Sequence, residues 1–328
     1  MIIVTGGAGY VGSHCVKELL KRGYEVGVVD NLCTGHRASV GKDARFFEGD
    51  IRDGEFMTKV FKESGAEAVI HFAACSLVGE SMTDPLKYYN NNVHGTEVLL
   101  SSMLRADVDK IIFSSTAAVY GEAQTDMITE DIPKEPTNTY GETKLSMEKM
   151  MKWCDKAYGM RHVALRYFNV AGADPEGTIG EDHSPETHLI PIILQVPLKK
   201  REKLSIFGDD YPTPDGTCIR DYVHVCDLAR AHAMALEHLI GGGKSDAFNL
   251  ASGGGYSVKE MVEAAREVTG HPIPAEIQPR RAGDPARLVA NASKVANALG
   301  FKPEKTSVKE IIADAWRWHS SHPNGFGV

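Results

Sequence analysis

The chain has 328 residues, of which 42% are hydrophobic and 24% charged, with a formal charge of −8. This composition excludes a disordered or fibrous chain and suffices for one large or two modest domains. The longest basic run is Lys199-Lys200-Arg201, which excludes nucleic acid as a partner, and no apolar run has the length of a membrane span.

Six cysteines, at 15, 33, 75, 154, 218 and 226, show no zinc spacing and predict free thiols in a reducing cytoplasm. The chain starts at Met1 directly with a strand pattern, without the charged start and apolar run of a signal peptide. Short apolar runs at 2–5, 25–30, 44–49, 68–74 and 110–116 read as strands. Helical stretches fall between them, at 12–22, 54–63 and 93–106. Residues 162–170 add a further strand. Such alternation predicts an α/β fold, a doubly wound parallel sheet of the dinucleotide-binding (Rossmann) type. After about Ala171 the pattern is broken by Gly, Pro and Asp at 173–185, 208–216 and 272–285. We therefore expect a larger domain over 1–171 and a smaller α/β domain over 172–328. Within the latter, about 222–252, a strand running into a helix, is expected to pack back on the large sheet.

The turn Thr5-Gly6-Gly7-Ala8-Gly9-Tyr10-Val11-Gly12 joins the first strand to the first helix. Glycines at 6, 9 and 12 suit a tight turn, close approach to a pyrophosphate, and close helix–strand packing. The helix start offers unpaired N–H groups to phosphate. Asp30 ends the second strand 18 residues beyond Gly12, where an acid accepts from the adenosine ribose and repels a 2′-phosphate. NAD is thus the expected cofactor, with Arg37 the one residue nearby that would suit NADP. Ligands sit at the carboxyl ends of parallel strands, which here are Gly49-Asp50-Ile51, Phe72-Ala73-Ala74 and Ser114-Ser115-Thr116. Asp50 reads either as an adenine contact or as the cap of the helix near Gly54. Asn90, Asn91 and Asn92 read as caps of the next helix, with one of them touching the cofactor.

Tyr140-Gly-Glu-Thr-Lys144 places a phenol and an ammonium one helical turn apart. A phenol titrates near ~10 and an adjacent cation favours its phenolate, making a switchable acid and base. Tyr and Lys one turn apart are also commonplace on solvated helices, and the glycine turn is what gives the pair weight.

The glycine turn, Asp30, Ser115-Thr116 and Tyr140-x-x-x-Lys144 together resemble the extended short-chain dehydrogenase/reductase family. More narrowly, the chain resembles the UDP-glucose (UDP-galactose) 4-epimerases, isomerases of galactose and wider carbohydrate metabolism. His71-Phe72-Ala73-Ala74, Val78-Gly79-Glu80-Ser81, Tyr167-Phe168-Asn169, Ile206-Phe207-Gly208, Arg220-Asp221-Tyr222 and Arg280-Arg281-Ala282-Gly283-Asp284 extend the resemblance over essentially the whole length. It implies a held NAD and a UDP-sugar oxidised at C4 to a ketone, turned over, and reduced on its other face. Tyr140 would be the base, Lys144 its support, and Thr116 the hydrogen-bonding partner of the 4-oxygen. Gly6, Gly9, Tyr10, Val11, Gly12, Asp30, Asn31, Asp50, Ile51, Phe72, Ala73, Ala74, Asn91, Ser114, Tyr140, Lys144 and Tyr167 would hold NAD. Thr116, Tyr140, Asn169, His188, Leu189, Phe207, Arg220, Arg281, Asp284 and Leu288 would hold the substrate. The structural alternative for Arg220 and Asp221 is an ion pair, and for Phe207 core packing.

Alanines at 117 and 118 disfavour the related 4,6-dehydratases, which need an acid pair there. His188 stands where relatives carry asparagine, and Ser76 where some carry lysine. Leu288 stands where glucose-only members carry tyrosine, which implies room for the 2-acetamido group of UDP-N-acetylglucosamine or UDP-N-acetylgalactosamine. Two other readings stay open: a UDP-glucuronate 4-epimerase or decarboxylase, and a non-catalytic NAD-sensing regulator. The resemblance also implies a homodimer, through a four-helix contact of 93–106 and 143–158. The stripe Leu145, Met147, Met150 and Met151 reads equally as interface or core.

Overall fold

The computed structural model describes residues 1–123, 125, 127–281 and 284–327. Ala282 and Gly283 of the stretch quoted above lie outside the described residues. The first part runs β1 (Ile2–Thr5), α1 (Tyr10–Lys21), β2 (Val26–Asp30), β3 (Arg45–Glu48), α2 (Gly54–Ser64), β4 (Ala68–His71), α3 (Val78–Thr83), α4 (Pro85–Tyr88), α5 (Gly95–Arg105), β5 (Lys110–Thr116), α6 (Thr139–Tyr158) and β6 (Arg161–Tyr167). It continues through β7 (Asn169–Ala171), α7 (Leu189–Leu194), β8 (Leu204–Phe207), β9 (Ile219–Arg220), β10 (Tyr222–His224), α8 (Val225–Ile240) and β11 (Asp246–Leu250). The remainder is β12 (Tyr256–Ser257), α9 (Val258–Thr269), β13 (Ala275–Gln278), β14 (Arg287–Leu288), α10 (Ser293–Leu299) and α11 (Val308–Ser321).

Seven strands form one parallel sheet in the order β11-β6-β5-β4-β1-β2-β3. Strand alternation distributes the apolar side chains to both faces. Ile2, Val4 and Val28 pack with Val16 and Leu19 of α1 and Leu228 and Leu236 of α8. Ile3, Val29 and Phe113 pack with Met57 of α2, Leu99 of α5 and Met147 and Met151 of α6. α8 and β11 therefore complete the large layer, while Ile190, Ile193, Met261, Ile311 and Ile312 build a separate core. The order in which strands are added reverses between β1 and β4, which opens the ligand crevice at their carboxyl ends.

Several local expectations are corrected. The predicted strand 162–170 breaks at Phe168, because β6 ends in the large sheet and Asn169 starts β7, which pairs with β10. Asp50 does not cap α2; Asp53 does, accepting from the amides of Glu55 and Phe56. Asn90, Asn91 and Asn92 cap no helix. They lie in a π-helical segment, Tyr89–His94, that continues α4 into α5, and the capping acid is Asp84 ahead of α4. The Leu145–Met151 stripe is core: Leu145, Met147 and Met151 are buried.

Below the crevice, a buried ionic network ties α6 to the sheet. Arg166 of β6 donates to both Glu148 oxygens, from Nε at 2.9 Å and an Nη at 2.5 Å, and through its other Nη to the Tyr120 hydroxyl at 2.9 Å. Ser115 donates to Glu148 at 2.5 Å and Tyr120 to Asn249 at 2.6 Å. Removing one charge of a buried pair strands the other. Glu148→Gln is expected to cost about 3–5 kcal/mol, read as a lowered midpoint in urea unfolding with an unchanged slope.

Candidate functional site

The glycine turn is built by steric exclusion. Gly6 has φ +72°, and a Cβ there would lie 2.5 Å from the amide nitrogen of Ala73. A Cβ on Gly12 would lie 2.1 Å from the Gly6 carbonyl oxygen. Gly9 is different: its backbone is extended (φ −81°, ψ 175°) and its Cβ would meet only the Gly6 oxygen, at 3.4 Å. The space above Gly9 is thus open toward the helix start. The first intrahelical bond there is from the Ser13 amide to the Gly9 carbonyl, which leaves the N–H groups of Tyr10, Val11 and Gly12 facing an anion site. The Tyr10 side chain turns away from that site and donates to the Gly172 carbonyl at 2.6 Å.

Asp30 is buried at the end of β2, where its carboxylate accepts from the Ala8 amide and the Leu32 amide, both at 2.9 Å. Burial raises its pKa. Arg37 is engaged elsewhere, with its guanidinium 4.5 Å from the centre of the Phe46 ring and donating to the Val40 carbonyl. Asp50 takes two contacts from the Arg52 guanidinium and one from the Asn31 amide at 3.0 Å, and Arg52 holds its carboxyl well below the usual range. The Ile51 side chain is core, and the Phe72 ring meets His232 at a tilt of 41°, 4.6 Å between ring centres. These residues fit an adenosine dinucleotide: an anion cradle that a Cβ would fill, then a carboxylate at each of the next two strand ends.

Tyr140 and Lys144 enter on the first turns of α6, whose cap Asn138 accepts from the Gly141 amide at 2.8 Å. Gly141 lets α6 lie against residue 118, since a Cβ there would meet the Ala118 oxygen at 2.5 Å. That contact brings the end of β5 to the helix, with Thr116 near enough to favour the phenolate of Tyr140, while its hydroxyl accepts from the Ala118 amide at 3.1 Å. The Lys144 ammonium is buried, donates to the Ser114 carbonyl at 2.8 Å, and lies 5.9 Å from the centre of the Tyr140 ring. Ser114 Oγ is hydrogen-bonded to the Tyr167 hydroxyl. Burial pushes Lys144 down to about 7, and burial also pushes Tyr140 up to about 12, the Thr116 contact opposing it. The sequence led us to expect a lowered phenol pKa. In the protein alone desolvation outweighs the Thr116 contact, and the neighbouring amine, brought down to about 7, is only about half protonated at neutrality.

Three residues support the pair in roles that the sequence did not assign to them. Ser81 accepts from the Tyr140 amide at 3.1 Å. Asn92, fully buried, holds the Cys75 backbone through both its amide groups and donates to Thr143 at 3.1 Å. His71, pushed down to about 3 by burial, bridges the hydroxyls of Thr5 and Thr96 beneath the turn. Asn91 reaches Asn92 rather than open space, at 3.0 Å.

A second polar group gathers on the smaller core. Arg220 pairs with Asp284 at 3.1 Å and also donates to the Pro285 carbonyl. The alternative pairing with Asp221 does not form, because Asp221 is buried and accepts from the amide and hydroxyl of Ser252. Arg281 lies over the Phe207 ring, 4.0 Å from its centre. Asn169 donates to the Asp221 carbonyl at 3.2 Å. Leu288 is in register with Arg220 in paired strands and packs on the Val119–Leu145 cluster. His188 and Leu189 begin α7, and the His188 Nδ1 lies 2.8 Å from Glu181.

Comparison with known proteins agrees with this geometry. A UDP-glucose 4-epimerase of Halalkalibacterium halodurans is 58% identical over 327 residues, covering 100% of this chain and 98% of that protein. A crystal structure of UDP-glucose 4-epimerase superposes with a TM-score of 0.98 at 59% identity, covering 99% of this chain and 98% of that one. A UDP-glucose 4-epimerase from Bifidobacterium longum in complex with NAD+ and UDP superposes with a TM-score of 0.92 at 41% identity, covering 99% of both chains. Residues 2–251 match the family described as NAD dependent epimerase/dehydratase. With that match spanning most of its length, the chain belongs to the NAD dependent epimerase/dehydratase family.

Proposed function

We propose that this chain is an isomerase that interconverts UDP-glucose and UDP-galactose with a resident NAD. The observation that carries the reading is the Tyr140–Lys144–Thr116 group at the carboxyl end of β5, with Lys144 and Thr116 buried, on the same sheet edge as the glycine turn. NAD, when bound, accepts hydride from sugar C4 and returns it to the opposite face, so the cycle has no net redox change. Gly6, Gly9 and Gly12, with the amides of Tyr10 and Val11, are assigned to its pyrophosphate. Asp30 and Asn31 are assigned to the ribose, Asp50 and Ile51 to adenine, and Phe72, Ala73, Ala74, Asn91, Ser114, Tyr167 and Lys144 to the nicotinamide half.

Tyr140 as phenolate takes the proton of the 4-hydroxyl and gives one back after the 4-keto sugar turns over. Thr116 hydrogen-bonds the 4-oxygen, and Lys144 carries the proton that the phenol has released. Arg220 and Arg281 suit a diphosphate, which guanidinium groups grip with paired N–H donors. Asn169, His188, Leu189, Phe207, Asp284 and Leu288 complete the UDP-sugar site. On this reading 1–171 holds NAD and 172–328 the UDP-sugar, with about 222–252 serving the larger domain. Purified protein with no cofactor added is expected to convert UDP-galactose to UDP-glucose; failure with NAD supplied as well would end the proposal.

Leu288 supports acceptance of the larger N-acetylated sugars. Leu288→Tyr is expected to lower turnover of UDP-N-acetylglucosamine by about tenfold or more while UDP-glucose turnover changes little. We also propose a cytoplasmic homodimer. Trp153 on α6 is 66% exposed and Leu104 on α5 is 38% exposed, so the two helices named from sequence carry apolar side chains outward. Trp153→Glu is expected to shift the mass measured by light scattering from two chains to one. No described helix is long and apolar enough to cross a membrane.

A further inference from the structure

The loop that joins β7 to α7 gathers Glu181, His183, Glu186 and His188, whose ligand-capable atoms all lie within 4.8 Å of one another. His188 Nδ1 is 2.8 Å from Glu181 Oε1 and 3.1 Å from Glu186 Oε1. His183 Nδ1 is 3.2 Å from Glu181 Oε1 and 3.8 Å from Glu186 Oε2. Ligands about 2.0–2.1 Å from a tetrahedral zinc stand roughly 3.4 Å apart, and these four separations bracket that value. Two imidazoles and two carboxylates also suit zinc(II) better than calcium or magnesium, which take oxygen donors. The charge fits as well, since two carboxylates and two neutral imidazoles balance a divalent cation.

The cluster is enclosed on its carboxylate side and open at His188, whose side chain is 52% exposed. The side chains of Glu181 and Glu186 are 5% and 9% exposed. His183 Nδ1 is buried and makes no hydrogen bond. The groups around it are fixed from outside: Trp318 of α11 donates to the Glu181 carbonyl at 3.1 Å, and the Tyr10 ring stands edge-on to His183 at 6.3 Å. Asp182 turns the other way, accepting from the Phe326 amide and meeting His36.

We propose that Glu181, His183, Glu186 and His188 form a divalent transition-metal site for zinc(II). The ion clasps the loop between the dinucleotide turn and α11 and fixes the start of α7. His188 binds through Nδ1, so its Nε2–H stays available on the outer side of the ring. That last point rests on the proposed UDP-sugar site; metal binding itself does not.

The test is elemental analysis of protein stripped with a chelator, re-exposed to a small excess of zinc and desalted. One zinc per chain is expected, and cobalt(II) in its place should give the intense visible bands of a tetrahedral site. Glu181→Gln and His183→Ala should each weaken zinc binding by more than the ~10–100-fold that loss of an outer partner costs. Wild-type protein that keeps no zinc and shows no cobalt bands would overturn the proposal and leave a hydrogen-bonded cluster only. Equal zinc retention by both variants, with their folding verified by circular dichroism, would overturn it too. If either variant fails to fold, the wild-type cobalt spectrum decides. None of these readouts depends on epimerase activity, so failure here leaves the proposed reaction standing.

Discussion

Lys144→Met is expected to lower turnover at neutral pH by ~10³-fold and to change the shape of the pH profile. In the intact pair, Tyr140 lies near 12 and Lys144 near 7 in the protein alone. Between those values the two groups hold one proton between them. That proton sits either on the phenol, beside a neutral amine, or on the ammonium, beside a phenolate, and the net charge is the same. Base strength therefore needs no deprotonation of the pair as a whole, only transfer within it. A second proton enters as pH falls through about 7 and leaves phenol beside ammonium, so wild-type activity should fall below that pH and level off above it. The positive charge of oxidised NAD lowers both pKa values and moves the limb to lower pH. In Lys144→Met the phenol must titrate alone. Activity should then climb about tenfold per pH unit well into the alkaline range. Steady-state rates against pH on NAD-loaded protein check this; a variant with an unchanged limb would show that the lysine only packs.

Gly12→Ala is expected to give protein that purifies without bound nucleotide and stays inactive with NAD added. The new Cβ would stand 2.1 Å from one backbone oxygen and 2.8 Å from the Gly7 Cα, so the turn itself must open. Gly9→Ala separates sterics from ligand contact. Its backbone conformation suits any residue and its nearest neighbour is 3.4 Å away. That variant should keep the melting temperature of the NAD-free protein but lose NAD, whereas Gly12→Ala should lose both. Nucleotide absorbance of the purified proteins and thermal unfolding distinguish the two. NAD retained by both would place the pyrophosphate away from this turn.

The large sheet was legible because its signals are local and redundant. Apolar runs such as 110–116 end in Ser and Thr, and the glycine spacing follows from backbone collisions that any sequence must obey. Where two residues offered the same chemistry, the sequence could not choose. Asp50 and Asp53 stand three apart, and only the helix axis decides that Asp53 caps while Asp50 meets Arg52. The asparagine run failed as a capping signal because α4 and α5 join through π-helical turns, so the run lies inside continuous helix and not at a helix start. Asn92 spends both its amide groups outside that junction, on the Cys75 backbone and on Thr143 of α6. The phenol's direction of shift was misread for a related reason: spacing places Lys144 near Tyr140, but only burial shows that the amine is as desolvated as the phenol. Arg220 paired with Asp284 and not its neighbour Asp221, which sits at the break between β9 and β10 with its carboxylate already held by Ser252.

The measurement that bears most directly on Tyr140 is ultraviolet difference spectroscopy of NAD-free protein titrated with NAD near neutral pH, beside Tyr140→Phe. One phenolate per chain should appear in the wild type and be missing from the variant. Identical spectra, with NAD bound by both proteins, would mean that residue 140 keeps its proton and that another group removes the one on the sugar.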